Sequence, residues 1–313
     1  MSGLKIISCK SGVTAEDITK RKNAVALGEF DGVHIGHIGL INELKKNKDM
    51  NLLVYTFDEH PDNVLSGKTV TKRLTDNSQK IEIFTKLGTD YICFEDFSAV
   101  KDFSPERFVE EVLVNKLNCG FVTCGFNFKF GKFGSGNAEL LVKLLNKYGI
   151  RCTVIPPVEH ENETVSSTRI RRLIEDGNVE DAAVLLNRNY SLSLPVISGR
   201  KLGRTIGVPT VNQRISENTV CPQKGVYACL CRISDKLYHA VCDIGNKPTV
   251  GGTEILAESH IIGYSGDLYG KTVEIIFYKR LRDEKKFDSL DALKSVIAKD
   301  ITNTENYFSQ IGM

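Results

Sequence analysis

The sequence predicts two folded domains in series. Residues 1–186 read as an α/β domain with a parallel sheet, and residues 187–313 as a small antiparallel β-barrel with a C-terminal helix. Three observations carry this. Short apolar runs alternate with amphipathic helical stripes as far as Leu186, the pattern of strands joined by crossover helices. From Tyr190 the texture changes to β-branched runs broken by glycine, spaced closely enough for the strands of a barrel. A chain of 313 residues with 41% hydrophobic positions also favours two cores over one.

The first domain opens on a short apolar strand, Ala24 to Leu27, followed by a sharp turn through Gly28-Glu29-Phe30-Asp31-Gly32. A helix begins near Ile35, with Ile38, Ile41 and Leu44 spaced along one face. LLVYTF (52–57) is a near-continuous apolar run, as expected of a strand covered on both faces. Ile81, Phe84 and Leu87 mark a helix ending at Gly88, and 91–94 is the next strand. Ser104 caps a helix with Pro105 at its first position, whose face is Phe108, Val109, Val112, Leu113 and Leu117. A strand over 121–124, a helix capped by Asn137, a strand over 152–155 and a helix over 179–186 complete the alternation. The boundary falls near Asn187–Asn189. Beyond it LSLPVIS, GVYACLCRIS, YHAVCDIG, ILAESHIIGY and KTVEIIFYK read as barrel strands, and a last helix from Ser289 carries Leu290, Leu293, Val296 and Ile297.

A net charge of +2 gives no basic footprint for nucleic acid and no acidic tail, so small-molecule partners are expected. No secretory signal and no span-length apolar segment is present, which predicts a chain without a membrane role. Nine scattered cysteines contain no CxxC and most lie in apolar runs, the usage of a reduced cytoplasmic protein. A monomer or weak homo-oligomer is expected.

Several strings carry chemistry. His34-Ile35-Gly36-His37 sits at a helix start, where unsatisfied N–H groups attract phosphate. Gly28, Phe30, Asp31 and Gly36 shape its approach, and two imidazoles one turn apart can hold phosphate oxygens. TFDEHP puts Phe57 and His60 at the carboxyl end of the second strand. GFNFKFGKFGSG offers an aromatic platform for a flat heterocycle, including Phe128, with Asn127 able to hydrogen-bond its edge. VSSTRIR gathers Ser166, Ser167 and Thr168 at a helix N-terminus beside Arg169 and Arg171, a second phosphate clamp. SGRKLGRTIGVPTVN reads as a phosphate cradle through Gly199, Gly203, Arg204, Gly207 and Pro209, with Thr210 and Asn212 as oxygen ligands for Mg²⁺. Glu258, His260 and Ile262 share one face of a strand, and Ser259 and Ile261 the other.

These strings, in this order, resemble the bacterial bifunctional riboflavin kinase/FAD synthetase family. GEFDGVHIGH resembles its version of the HxGH signature of nucleotidyltransferases, and TFDEHP its TFxPHP element with Glu59 for proline. GFNFKFG is similar to GxNFxFG, VSSTRIR to ISSTRIR, and the basic loop to GRxLGxPTAN with Val211 for alanine. PQKGVYA, DIGNKPTVGG and ESHIIGYSGDLYG match the kinase half, with Gly263 where the family generally has aspartate and Tyr264 for phenylalanine.

The resemblance implies a Rossmann-like nucleotidyltransferase domain before a riboflavin kinase barrel. It implies ATP as co-substrate, Mg²⁺, and riboflavin, FMN and FAD as substrates and products. It assigns phosphate handling in adenylyl transfer to His34, His37 and Arg169, and proton acceptance in the kinase to Glu258. It assigns flavin contacts to Phe57, His60, Asn127, Phe128, Arg282 and Phe287. Glu29, where the family often has a small or amide residue, and Gly263 leave alternatives: one live domain, or a flavin-sensing protein without turnover.

Overall fold

The computed structural model describes residues 4–8, 20–199, 207–249, 252–285 and 289–313. It divides into two compact units between Ser167 and Thr168.

The first unit is built on a six-stranded parallel sheet of order β1-β4-β3-β2-β5-β8. Its elements begin with β1 (Lys5–Ser8), β2 (Asn23–Leu27), α1 (Ile35–Leu44) and β3 (Asn51–Phe57). Then come α2 (Pro61–Ser66), α3 (Asn77–Lys86), β4 (Tyr91–Glu95) and α4 (Phe97–Val100). Helix α5 (Pro105–Arg107) continues into a π-helical stretch, Phe108–Lys116, before β5 (Cys119–Gly125). A small hairpin of β6 (Lys129–Phe130) and β7 (Gly136–Asn137) precedes α6 (Ala138–Asn146) and β8 (Arg151–Ile155). A second hairpin, β9 (Glu159–His160) and β10 (Glu163–Thr164), leads to α7 (Ser167–Glu175).

The two faces of β2 explain its apolar run. Val25 and Leu27 join one buried cluster with Leu53, Tyr55, Val112 and Leu141, while Ala24 and Ala26 join the other with Leu40, Ile41, Val54 and Phe84. Both faces are therefore core, as parallel sheets require. Asp76 and Gln79 form a capping box on α3, and Ser104 and Asn137 cap α5 and α6. Two expectations change. The buried stripe of α1 is Leu40, Ile41 and Leu44, with Ile38 only half-buried. β1, which pairs with β4 at the sheet edge, has no counterpart among the expected strands.

The second unit contains most of α7, then α8 (Val179–Leu186), and a closed barrel. The barrel strands are β11 (Ser191–Ile197), β12 (Val211–Arg214), β13 (Gly225–Ile233), β14 (Lys236–Thr249), β15 (Gly252–Ile261) and β16 (Thr272–Arg282). They close in the order β11-β12-β15-β14-β13-β16. Tyr227, Cys229, Cys231, Cys242, Ser259 and Phe277 are fully buried. Burial pushes the thiols of Cys229 and Cys231 well up, so they behave as core residues.

The final helix, α9 (Leu290–Gln310), starts after Ser289 as expected, and Ser289 is its cap. Its apolar stripe is not its packing face. Asp300, Thr304 and Phe308 are the buried residues, with Phe308 against Ala228 and Leu230, whereas Leu290 is 64% exposed.

Candidate active sites

β3, β2 and β5 are neighbours, so the segments leaving their carboxyl ends emerge along one edge of the sheet. That edge is where open α/β sheets bind ligands. Gly28, Phe30, Asp31, Gly36, His34 and His37 follow β2, Phe57 and His60 end β3, and Asn127 and Phe128 follow β5.

The loop after β2 is bent by left-handed residues: Phe30 at φ 53°, Gly32 at 80° and Val33 at 41°. A β-branched residue rarely adopts this conformation, so the surrounding packing must hold it there. The Phe30 ring is wholly buried, edge-on to Phe84 at 5.4 Å and to His37 at 5.1 Å. It is thus a core anchor for the loop. Asp31 is also buried, and its Oδ1 accepts the Leu74 and Thr75 amides at 2.9 and 3.1 Å. Its carboxylate shapes the loop, and Ser167 Oγ donates to its main-chain oxygen at 2.8 Å.

His34 is the N-cap of α1: its Nδ1 accepts the His37 N–H at 3.4 Å. That nitrogen carries no proton in this arrangement, so the neutral ring keeps its proton on Nε2. The His34 and His37 rings stack with centroids 3.6 Å apart and planes 19° apart. Gly36 makes room for this, since a Cβ there would lie 3.1 Å from the His34 ring.

Asn127 is exposed, and Phe128 stacks on Phe130 at 5.8 Å. Phe126 and Phe133 nearby are 48% and 94% exposed, an aromatic edge open to a flat ligand. Ser166 and Ser167 close the first unit. Thr168, Arg169 and Arg171 open the second on α7, with Thr168 exposed and both arginines half-buried.

In the barrel, a cavity of about 330 Å³ has Val226, Val241, Leu290, Leu293 and Ile297 as its apolar lining. Thr210, Asp243, Lys247, Glu258, His260 and Arg282 are among its polar lining. The apolar stripe of α9 thus serves the cavity. Glu258 on β15 stands opposite Asn212 on β12, and opposite Asp243 on β14. Lys247 Nζ lies 3.3 Å from Glu258 Oε1. His260 Nδ1 lies 2.9 Å from the Pro209 carbonyl oxygen, which can only accept, so His260 donates and fastens the start of the Thr210 segment to β15. Gly199 passes over Asn212, whose side-chain nitrogen would be 2.5 Å from a Cβ there. Gly207 adopts φ 79°. Arg282 is clamped by Asp300, with Nε and Nη2 donating to its oxygens at 3.1 and 2.7 Å. Gly203, Arg204 and Phe287 lie outside the described residues.

The FAD synthetase family model matches residues 16–169, and the riboflavin kinase model matches residues 186–308. A bifunctional riboflavin kinase/FMN adenylyltransferase of Bacillus subtilis is 35% identical over 299 residues, 93% of this chain and 94% of its own length. The chain belongs to the bifunctional riboflavin kinase/FMN adenylyltransferase family. Another relative of that name, from Listeria monocytogenes, is 34% identical over 98% of this chain and 99% of its own. The Escherichia coli K12 relative is 32% identical over 91% and 92%. A solved structure from Streptococcus pneumoniae, named a macrolide-efflux protein, is 31% identical with a TM-score of 0.87, covering 96% of this chain and 99% of that one. Among the described residues no helix is long and apolar enough to cross a membrane.

In this riboflavin kinase/FMN adenylyltransferase, the Glu29 carboxylate in the loop after β2 is not left alone. His60 Nε2 lies 2.6 Å from Glu29 Oε1, while His60 Nδ1 accepts the Asp62 N–H at 3.2 Å. The main-chain oxygen of Glu29 accepts from Thr56 Oγ1 at 2.7 Å and Lys80 Nζ at 2.9 Å. Lys80 is a residue that sequence reasoning missed. Burial pulls its pKa down, with Asp31 and Glu29 opposing that shift.

Asp243 and Lys247 were missed as well, although DIGNKPT had been singled out as a motif. Burial, and then the nearby Glu284, push the Asp243 carboxyl up to about 6. A carboxyl with a raised folded pKa binds more protons folded than unfolded. Its stabilising contribution is therefore present near pH 4 and lost as pH rises through about 6. The thermal stability of wild type relative to Asp243→Asn is expected to fall by about 2–3 kcal/mol across that window. Melts of both proteins in matched buffers check this, and a constant difference would count against a raised pKa.

Proposed function

We propose that the first unit transfers AMP from ATP to FMN and that the barrel phosphorylates riboflavin, so that the chain makes FMN and then FAD. The observation that carries the kinase reading is Glu258, paired with Asn212 across the ladder, in a cavity that Thr210, Leu290, Leu293 and Ile297 also line. The residues Leu290, Leu293 and Ile297 receive the flavin ring, with Arg282 beside them, and the motif adds Phe287 as a flavin contact. The Glu258 carboxylate accepts the proton of the ribityl 5′-hydroxyl as that oxygen bonds to the γ-phosphorus and ADP leaves. Gly199, Gly203, Arg204, Gly207 and Pro209 hold the phosphates.

Among the described residues no cluster of three or more His, Cys, Asp or Glu could hold a metal ion. A neutral pair such as Thr210 and Asn212 fits Mg²⁺, which usually rides on substrate phosphates with few protein ligands. When bound there, the ion supplies charge neutralisation for those phosphates.

In the first unit a phosphate oxygen of FMN bonds to the α-phosphorus of ATP, and the bond to pyrophosphate breaks. His34 and His37 donate hydrogen bonds to phosphate oxygens at the start of α1, with Gly28, Gly36, Ser166 and Ser167 as further phosphate-binding residues of that unit; the motif also assigns phosphate binding to Thr168, Arg169 and Arg171. Phe57, His60, Asn127 and Phe128 contact the flavin. Catalysis here is positioning and charge stabilisation, with no covalent nucleophile. All substrates are small molecules, so the chemistry asks for no nucleic acid, membrane or second chain, and a cytoplasmic monomer or weak homo-oligomer fits. The test is to incubate the full chain with riboflavin, ATP and Mg²⁺ and to separate flavins by chromatography. FMN should appear first and FAD second; bound riboflavin without product would overturn the proposal.

The proposed functional split lies at residue 186, so residues 1–186 should make FAD from FMN, and residues 187–313 should make FMN from riboflavin. α8 packs on β16, and Gln223 N–H bonds to the Ile174 oxygen. Residues 168–313 are therefore expected to melt higher than 187–313, since each buried leucine or valine of α8 contributes ~1.5–3 kcal/mol. Should 187–313 fold yet stay inactive until 1–186 is added back, the split fails as a functional claim.

A further inference from the structure

Lys80 is one of the buried residues of α3, and nothing in the reaction scheme above uses it. A buried lysine is costly, because its charge leaves water, and such a position ordinarily carries an apolar side chain. Its Nζ donates to the main-chain oxygen of Glu29 at 2.9 Å, in the loop after β2 where the phosphates of ATP are proposed to bind. Phe84, one turn further along α3, packs edge-on against Phe30 of the same loop at 5.4 Å. α3 therefore presents a ring and a cation to the segment that leads into His34. We infer that Lys80 is a positioning residue for FMN adenylylation, whose buried ammonium is the counter-charge that allows a loop carrying two carboxylates to receive the phosphates of ATP. This rests on the assignment of phosphate binding to that loop.

The charges around Lys80 define the effect. Glu29, Asp31, Asp58 and Glu59 line a narrow cavity together with Lys80 and Arg73, so carboxylates outnumber cations there. Asp58 and Glu59 are exposed and screened by water, whereas Asp31 is buried and Glu29 half-buried. Asp31, and then Glu29, are the charges that most favour the Lys80 ammonium against the pull of burial. His60 does not cancel the Glu29 carboxylate: with Nδ1 accepting the Asp62 N–H, the neutral ring offers only its Nε2 proton. The ammonium is also not what holds the loop in place. The Glu29 oxygen accepts from Thr56 Oγ1 at 2.7 Å as well, and Asp31 Oδ1 accepts the Leu74 and Thr75 amides at 2.9 and 3.1 Å. Losing Nζ would therefore leave the loop placed and its two carboxylates uncompensated, facing an incoming polyanion in a site partly closed to water.

The experiment follows FAD formation from FMN by the full chain over a range of ATP concentrations, with FMN and Mg²⁺ saturating. Lys80→Met keeps an unbranched buried stem and removes the ammonium. It is expected to raise KM for ATP about 10-fold while kcat changes less, with cooperative melting retained. Glu29→Gln, whose amide oxygen can still accept from His60, is expected to lower KM for ATP. The double variant Glu29→Gln/Lys80→Met has the net charge of wild type, and its KM should return to within about 3-fold of the wild-type value. An unchanged KM in Lys80→Met overturns the inference. So does a double variant no better than Lys80→Met, because a loop that had merely moved would not be mended by removing a second group. Should Lys80→Met fold poorly, Glu29→Gln alone decides: a KM that is unchanged or raised overturns the inference. His37→Ala separates the two claims. If it forms FAD normally, the phosphate assignment falls and the Lys80 inference with it. If it is inactive while Lys80→Met keeps its KM, only the latter falls.

Discussion

Glu258→Gln is expected to lower riboflavin phosphorylation by ~10²–10⁴ while FMN adenylylation continues at the wild-type rate. The substitution keeps the length and planarity of the side chain and removes its negative charge, and with it the ion pair with Lys247 and the ability to take a proton. Glu258 lies on β15 between β12 and β14, and its partly exposed carboxylate pairs with Lys247 rather than supporting the core. The barrel should therefore fold as before. The fully buried Ser259 and Ala257 on the inward face of the same strand are untouched. The effect should reside in kcat, because an amide can still hydrogen-bond a substrate hydroxyl but cannot accept its proton. Parallel assays of the two reactions on one preparation make the measurement. Unchanged phosphorylation would mean that water or another group takes the proton.

Much of this was legible in the sequence because the legible features are local. The caps at Ser104 and Asn137, the helix start at Ser289 and the apolar run of β2 are written in neighbouring residues, and the structure has them where the pattern predicts. β12 was not legible. VNQR carries one apolar residue, and its buried members are Asn212 and Gln213, the latter donating its amide to the Leu194 and Val273 oxygens at 2.7 and 2.8 Å. A polar side chain buried inside a barrel looks, in sequence, like a loop.

The same blindness hid Lys80 and Asp243. Neither breaks a periodic pattern, and each matters through partners far away in the chain: Glu29 for Lys80, Glu258 for Asp243. The stripe of α9 misled in the opposite sense. Leu290, Leu293 and Ile297 have the spacing of a packing face, yet they line a cavity, because periodicity records which side of a helix is apolar and not what covers it. α7 and α8 continue the strand–helix alternation of the first unit, but α8 packs on β16 of the second. Alternation fixes each element without fixing its partner.

His37→Ala is expected to cut FAD formation from FMN by ~10²–10³ and to leave riboflavin phosphorylation near wild type. The argument turns on what the substitution spares. His34 caps α1 by accepting the main-chain N–H of residue 37, which alanine retains, so the helix start should survive. His37 is only half-buried, and its loss removes one ring from the stack with His34 at 3.6 Å and one edge contact with Phe30 at 5.1 Å. Phe30 keeps its packing on Phe84, so the strained loop stays anchored. On the proposed reading, what disappears is one of two imidazole donors to the phosphates at a helix N-terminus. His34 and His37 belong to the first unit and Glu258 to the second, so the kinase reaction serves as the internal control. Equal loss of both activities in a protein that still melts cooperatively would refute the assignment. Loss of FAD formation alone, with kcat falling more than the affinity for FMN, would locate the contribution of His37 in the transition state.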